Sequence, residues 1–549
     1  MNNYLYLGDC LDVLQDYVKD ETVDLIYIDP PFNSKRNYNV FFDDKEIHSQ
    51  RIAFEDTWSL KNVGDSLQQL HIAQYDDLYN LLKVYQKLAP QVFPYLVMMA
   101  LRIVELHRVL KPTGSFYLHC DPTASHYLKT ICDTAFGMNN FCNHLTWKRS
   151  DVHNDAKKKY PSVTDHILLY RKSDEFTFKK QHIAHADRTL QDWYQFLEFP
   201  DGSVRRMTKE EKETQIFPEE TRRFNTADMA SPNPRPNLMY EYKGFSHPPK
   251  GWRYSLEKMK ELDEQGLLLF PSSSDGRIML KRYLDEQQGA VISDLWLDIS
   301  QLRANNAEGL GYPTQKPKAL LERIIEASSN ENDLILDAFC GCGTSIDAAE
   351  GLKRRWIGID ISPLALSVIK RRLRDAYKGD LSKFEIRGIP TDEKSAIKLW
   401  EQNAFAFQDW WITEFEAFSS TFGKKGADKG VDGIALYALP QLAEPLRVAF
   451  QVKGGEKVQA KDIDVLLGAM VVHKCELGVF LTRAAPTKPM LDKVMTVGYF
   501  EMGNQSYPKL QILTLAEFFN NLRPKLPSHN VTFKSAVTTG KGGEQKNLL

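Results

Sequence analysis

No apolar run in the 549 residues is long enough to cross a bilayer, so no membrane association is expected. The start, MNNYLYLGDC, lacks a basic segment followed by an apolar one, and no secretory signal is expected. Cysteine is scarce: seven residues, an odd number at no repeated spacing. That excludes a disulfide framework and fits a reducing compartment. An excess of one charge is also missing, because the formal net charge is only -2. A polyanion partner must then be met by a local basic surface rather than by overall charge. Internal repeats are absent. A cytoplasmic globular protein is expected. With 42% hydrophobic residues in 549, one core is not enough, and roughly three or four domains are expected.

The residues that are present alternate between strand and helix patterns. YLYLGDC reads as a strand and LDVLQDYV as a helix. VDLIYIDPPF is a continuously apolar strand, as expected where both sheet faces are covered. The helix FPYLVMMALRIVELHRVL stops at Lys111-Pro112-Thr113-Gly114. SFYLHCD, HLTWKRS and DHILLYRKS read as three further strands. This rhythm predicts an α/β fold with a parallel sheet. It breaks over 173–310, a polar and aromatic stretch rich in turns, and resumes with KALLERIIEAS, DLILDAFCGCGTS and RRWIGIDIS. The expected divisions are 1–172, an inserted domain over 173–310, 311–395, a further α/β unit over 396–525, and a disordered polar tail over 526–549.

Two strand ends carry chemistry. In LILDAFCGCGTS, the residues Asp337, Phe339, Gly341, Gly343, Thr344 and Ser345 form a strand-to-helix turn. Glycines there let a ligand approach the backbone closely, although an ordinary turn could also use them. The next strand ends in Asp360, placed to take a ribose hydroxyl pair. The third glycine of a pyrophosphate fingerprint is missing, since position 346 is Ile. A nucleoside without a diphosphate is implied, and S-adenosylmethionine fits. Cys340 and Cys342 supply too few ligands for a zinc site and read as small strand-end side chains. His119 and Cys120 read as packing residues.

At the other strand end, Asp29, Pro30, Pro31 and Phe32 follow VDLIYI. An exocyclic amine on a base is a poor nucleophile, because its lone pair is delocalised into the ring. The Asp29 carboxylate and the Pro30 carbonyl are two acceptors able to hold its N–H groups, with Pro31 fixing the backbone. Phe32 is placed to stack on a base taken out of the duplex. The bland alternative is a capping aspartate before a diproline strand stop.

With both motifs present, the sequence resembles the amino-methylating DNA methyltransferases, which make N6-methyladenine or N4-methylcytosine. Their cofactor motif F-x-G-x-G is matched by Phe339, Gly341 and Gly343, and their catalytic motif by Asp29 to Phe32. The catalytic motif comes first, as in the permuted β group, which carries target recognition between the two. The resemblance, over about residues 1 to 390, implies a Rossmann-like methyltransferase sheet, S-adenosylmethionine as cofactor and double-stranded DNA as partner. Gln315, Lys316 and Pro317 resemble the segment that helps bind methionine, and Asp9 a strand end near the cofactor adenine. Aspartate before the diproline favours adenine; N4-cytosine methylation and non-catalytic DNA binding are the alternatives. The basic run Trp147–Lys159, with Arg205, Arg206, Arg222 and Arg223, is a candidate phosphate track. The sequence is compatible with a homodimer.

Near the C-terminus, Asp432 precedes Gln451-Val452-Lys453. A carboxylate at one strand start and Q-x-K on its neighbour could bind Mg²⁺ and activate water, with Lys453 stabilising phosphate charge. This resembles the Mrr-like branch of the PD-(D/E)xK nucleases, a restriction-endonuclease-like α/β fold, and the resemblance implies an added acid from the preceding helix, Glu414 or Glu416. Gln451 is neutral and weakens metal binding, so cleavage and DNA binding alone both stay open.

Overall fold

The computed structural model describes residues 2–31, 60–73, 75–152, 158, 160–273, 276–302, 308–309, 315–415, 417–419, 430–437, 439, 442 and 445–527. Phe32, Glu416, much of the basic run before Lys159 and nearly all of the expected tail lie outside these residues.

Among the described residues, nine strands form one sheet. They are β1 (Asn3–Leu7), β2 (Val23–Ile28), β3 (Leu110–Cys120), β4 (Phe141–Lys148), β5 (Thr164–Arg171), β6 (Leu295–Trp296), β7 (Leu334–Asp337), β8 (Arg355–Asp360) and β9 (Phe384–Arg387). Their spatial order is β6-β4-β5-β3-β2-β7-β8-β1-β9. The run from β3 to β9 is parallel throughout. Its central strands are apolar on both faces because both are covered: Val23, Leu25, Ile26 and Ile28 are fully buried. The sheet is mixed, not purely parallel, because β5 pairs antiparallel with both β3 and β4. Among the described residues between β4 and β5 there is no helix, whereas a parallel pair requires a crossover connection.

The helix Phe93–Val109 is apolar almost all round and is correspondingly buried on nearly every face. Arg102 is the one charged side chain of this helix that is fully buried. Its guanidinium is fully enclosed and reaches both oxygens of Asp9 at 2.7 Å, with Cys10 Sγ at 3.1 Å and the Met98 carbonyl at 3.2 Å. Asp9 also caps the helix Cys10–Tyr17, accepting from the Leu11 N–H at 2.8 Å.

Residues Lys180–Ser293 form a compact unit of their own. It holds a five-stranded antiparallel sheet and a core of Met229, Tyr242, Trp252, Met259, Leu262, Leu268 and Ile278. The unit is shorter than the expected 173–310 insertion. Before it, the backbone N–H groups of Thr177 and Lys179 donate to the carbonyls of Thr113 and Ala327; after it, Leu295–Trp296 returns to the main sheet beside β4.

Beyond the helices Glu393–Gln402 and Ala404–Thr413, the chain builds a second five-stranded sheet. Its order is β10 (Phe418–Ser419), β11 (Gly433–Tyr437), β12 (Leu446–Lys453), β13 (Leu477–Thr482) and β14 (Leu510–Thr514). The helix Ala460–Val472 crosses over between the parallel strands β12 and β13. Phe407, Trp410 and Trp411 fill the core on one side of this sheet. No described helix is long and apolar enough to cross a membrane.

Removing one partner of a buried ion pair strands the other charge. Arg102→Met is expected to destabilise the protein by about 3 kcal/mol, read as a lower urea midpoint.

Candidate active site

Four neighbouring parallel strands, β2, β7, β8 and β1, run in the same direction and end in, or directly before, an acid. Asp29 follows β2, Asp337 ends β7, Asp360 ends β8 and Asp9 lies two residues past β1. The two sequence motifs meet because β2 and β7 are neighbours, with Leu25 opposite Ile335 and Ile26 opposite Leu336. Ligands of open α/β sheets bind at such a carboxyl edge.

Asp337 organises the glycine turn. Its Oδ1 accepts from the Phe339 N–H at 3.0 Å and its Oδ2 from the Ser345 hydroxyl. The turn itself needs glycine: Gly341 and Gly343 have φ of 49° and 73°, and a Cβ on Gly343 would lie 2.5 Å from Ile369. Asp360 closes the turn from the next strand, accepting from the N–H groups of Gly341 at 2.8 Å and Ser362 at 2.9 Å. Burial pushes the Asp337 carboxyl up to about 7, the charges of Asp29 and Asp360 adding to the rise against the Ser345 and Phe339 hydrogen bonds. Burial likewise raises Asp360 to about 6, opposed by backbone N–H groups. Thr344 is held by the Arg372 guanidinium at 3.0 Å, and that guanidinium in turn donates to Asp347 at 2.9 Å.

This edge fits a cationic nucleoside better than a diphosphate. Buried carboxylates from adjacent strands repel phosphate and attract a sulfonium, and the tight glycine turn lets a ligand lie against the backbone. Asp9 is otherwise engaged, its carboxylate taken by Arg102 and a helix N-terminus.

Asp29 sits beside this turn, with Pro30 buried and Pro31 half-buried. Its Oδ2 is ion-paired with Lys316, while its Oδ1 is shielded from solvent and accepts no hydrogen bond among the described residues. The Lys316 contact was not legible in the sequence, where this residue resembles part of a methionine-binding segment. Gln315 donates to the Glu308 carbonyl at 3.0 Å, and Pro317 precedes the first turn of the helix Lys318–Ser328.

His119 does more than pack. Fully buried, it lies with Nδ1 3.0 Å from the Tyr27 hydroxyl and Nε2 3.2 Å from Asp165 Oδ2. The set is satisfied when Tyr27 donates to Nδ1 and the Nε2–H donates to Asp165. Burial raises the Asp165 carboxyl, but His119, Lys316 and Arg149 outweigh it and hold it below the usual range. A histidine inside an apolar strand was the available signal, since buried polar groups need partners.

The proposed phosphate track is largely spoken for. Arg205 pairs with Glu211 at 2.7 Å, Arg222 with Asp285 at 2.9 Å and with Glu286 at 2.6 Å, and Arg223 with the Tyr194 and Leu190 carbonyls. Arg206 lies over the Phe196 ring. Lys148 pairs with Asp151 at 2.7 Å.

In the C-terminal sheet, Asp432 opens β11 beside the end of β12. Its backbone N–H donates to the Phe450 carbonyl at 2.9 Å, and its Oδ2 accepts from the Val452 N–H at 2.6 Å. Gln451 is buried, with an Oε1 that accepts no hydrogen bond among the described residues. These are hard oxygen donors of the kind Mg²⁺ takes. Among the described residues, no group of three or more His, Cys, Asp or Glu side chains converges on a metal-sized site. Lys453 ends β12.

The restriction endonuclease family model matches residues 411–495. The type II methyltransferase M.EcaI of Enterobacter cloacae is 29% identical over 280 residues, covering 51% of this chain and 57% of that protein. The type III restriction-modification enzyme StyLTI Mod subunit of Salmonella typhimurium is 24% identical over 361 residues, covering 64% of this chain and 50% of that one. The type II methyltransferase M.HpaI of Haemophilus parainfluenzae is 41% identical over 136 residues, 25% of this chain and 43% of the relative. The chain thus spans about half the length of these curated relatives. The structure of the PvuII DNA methyltransferase (cytosine-N4-specific) covers 68% of this chain and 86% of its own, at 12% identity and a TM-score of 0.33, too low to argue from. The DNA methylase family model, by contrast, runs over residues 23–371, from the strand before Asp29 through the glycine turn and into the helix beyond Asp360, and the chain belongs to that family.

Proposed function

We propose that this protein transfers a methyl group from S-adenosylmethionine to the N6 amine of adenine in double-stranded DNA, as part of restriction–modification. The observation that carries the reading is Asp29 Oδ1, a buried acceptor that no donor reaches among the described residues, one strand away from the glycine turn. A buried lone acceptor is costly unless a ligand supplies the donor, and an exocyclic amine is such a donor. Adenine is chosen over cytosine because aspartate heads the diproline. The names of the relatives support the restriction–modification setting.

S-adenosylmethionine supplies an electrophilic methyl group on a sulfonium. Asp337, Phe339, Gly341, Gly343 and Ser345 shape its bed, and Asp360 stands where a ribose would lie. Asp29 Oδ1 and the Pro30 carbonyl accept the two amine N–H groups, which turns the nitrogen lone pair out of the ring and towards the methyl carbon. The surplus proton leaves the methylated nitrogen for solvent after transfer. The chain contributes orientation above all, and this step requires no metal.

We assign Mg²⁺-dependent DNA cleavage to the C-terminal domain, with Asp432 and Gln451 Oε1 as metal donors and Lys453 facing the phosphate. Gln451 Oε1, buried and accepting no hydrogen bond among the described residues, favours this over a purely structural role.

Expression in a methylation-free host, followed by single-molecule sequencing, should show N6-methyladenine at one sequence context; N4-methylcytosine or no modified base refutes the choice made here. Asp29→Ala should abolish transfer, by at least about a thousandfold, while cofactor binding measured by calorimetry survives. Cofactor affinity should weaken as pH falls through about 7 towards 6, because Asp337 and Asp360 must lose protons to face a cation. The loss should approach tenfold per pH unit for each proton released, and Asp337→Asn should flatten it. Mg²⁺-dependent nicking or cutting of unmethylated plasmid should vanish in Lys453→Ala; a wild type that only binds plasmid reduces the domain to DNA binding.

A further inference from the structure

Lys316 brings a cation to an otherwise acidic strand edge. Its ammonium is paired with Asp29 Oδ2, and both side chains are mostly enclosed, at 10% and 18% exposure. Lys316 is carried just ahead of the helix Lys318–Ser328, and Asp29 just past β2. The contact therefore joins two parts of the site that the sequence keeps far apart. The two carboxylate oxygens are left unequal. Oδ2 is neutralised by Lys316, whereas Oδ1 is buried and accepts nothing among the described residues.

Other groups near enough to feel the charge of Asp29 bring no positive charge of their own. Tyr27 lies on the same strand, Asp337 on β7, Tyr95 on the helix Phe93–Val109 and Cys120 at the end of β3. Asp165 is close enough to Lys316 to feel its charge. A carboxyl enclosed by such neighbours takes up a proton unless a cation opposes it. A protonated Asp29 would present an O–H donor where the amine needs an acceptor.

We propose that Lys316 is a positioning residue for methyl transfer: it keeps Asp29 ionised and leaves Oδ1 directed at the target amine. This rests on the methyltransferase reading above and departs from the resemblance, which puts this lysine beside the methionine end of the cofactor. It also makes Asp29 an orienting acceptor and not the base. A carboxylate that shares its charge with an ammonium is a poor proton acceptor, whereas a hydrogen bond to the amine needs only its lone pair.

The test uses the full chain, S-adenosylmethionine with a labelled methyl group, and genomic DNA from a methylation-free host. Single-turnover rates at saturating cofactor are measured between about pH 5.5 and 8.5 for the wild type, Lys316→Met and Lys316→Arg. The wild-type and Lys316→Arg rates should share a level acid side. The Lys316→Met rate should fall about tenfold per pH unit below a new apparent pKa and recover towards the wild type at high pH. Its cofactor affinity at high pH should stay within about twofold of wild type. Lys316→Gln replaces the methionine variant if that one fails to fold. A neutral variant whose profile runs parallel to the wild type overturns the proposal. So does a variant whose whole defect is lost cofactor affinity, which would return Lys316 to the cofactor. A wild type that transfers no methyl group at any pH overturns the methyltransferase reading itself, and this proposal with it.

Discussion

Negative charge buried at one edge of a parallel sheet is the constraint around which this protein is built. Asp9, Asp29, Asp337 and Asp360 stand at the ends of four adjacent strands, and an uncompensated buried carboxylate is expensive. Each is compensated differently. Asp9 has a fully enclosed guanidinium from the helix Phe93–Val109. Asp29 has one ammonium on one oxygen. Asp337 and Asp360 have only N–H and O–H donors, and burial raises their carboxyls to about 7 and about 6. The first ties both carboxylate oxygens to the protein itself. The other three keep capacity in reserve, and they surround the glycine turn.

The same edge explains why motifs distant in the chain work together. β2 and β7 pair in register, so the diproline and the glycine turn emerge side by side. Because side chains alternate across a strand, a one-residue slip would turn buried Leu25 and Ile335 to the opposite faces and misdirect both strand ends. The apolar faces of β2 and β7 therefore secure the geometry of the polar residues that follow them. In the compact unit 180–293, Arg205, Arg222 and Arg223 are held by acids and carbonyls of the same unit. The C-terminal sheet repeats the logic on a smaller scale: a backbone N–H steadies Asp432, while no donor among the described residues reaches the buried Gln451 oxygen.

What the sequence determined by itself was local. Apolar continuity marked β2 as a covered strand, the glycines at 341 and 343 marked a turn of positive φ, and an acid, two prolines and a ring marked a strand end with no regular continuation. Those signals rest on steric limits of single residues and on the alternation of side chains, which any reader of the chain can apply. Tertiary structure decided the partners. The antiparallel placement of β5, the enclosure of Arg102 by Asp9, the role of His119 between Tyr27 and Asp165, and the pairing of Lys316 with Asp29 all join residues far apart in the chain. A lysine looks alike in a sequence whether it faces water, a cofactor or a carboxylate. Only the fold brings a particular opposite charge within reach, in a place where water cannot screen it.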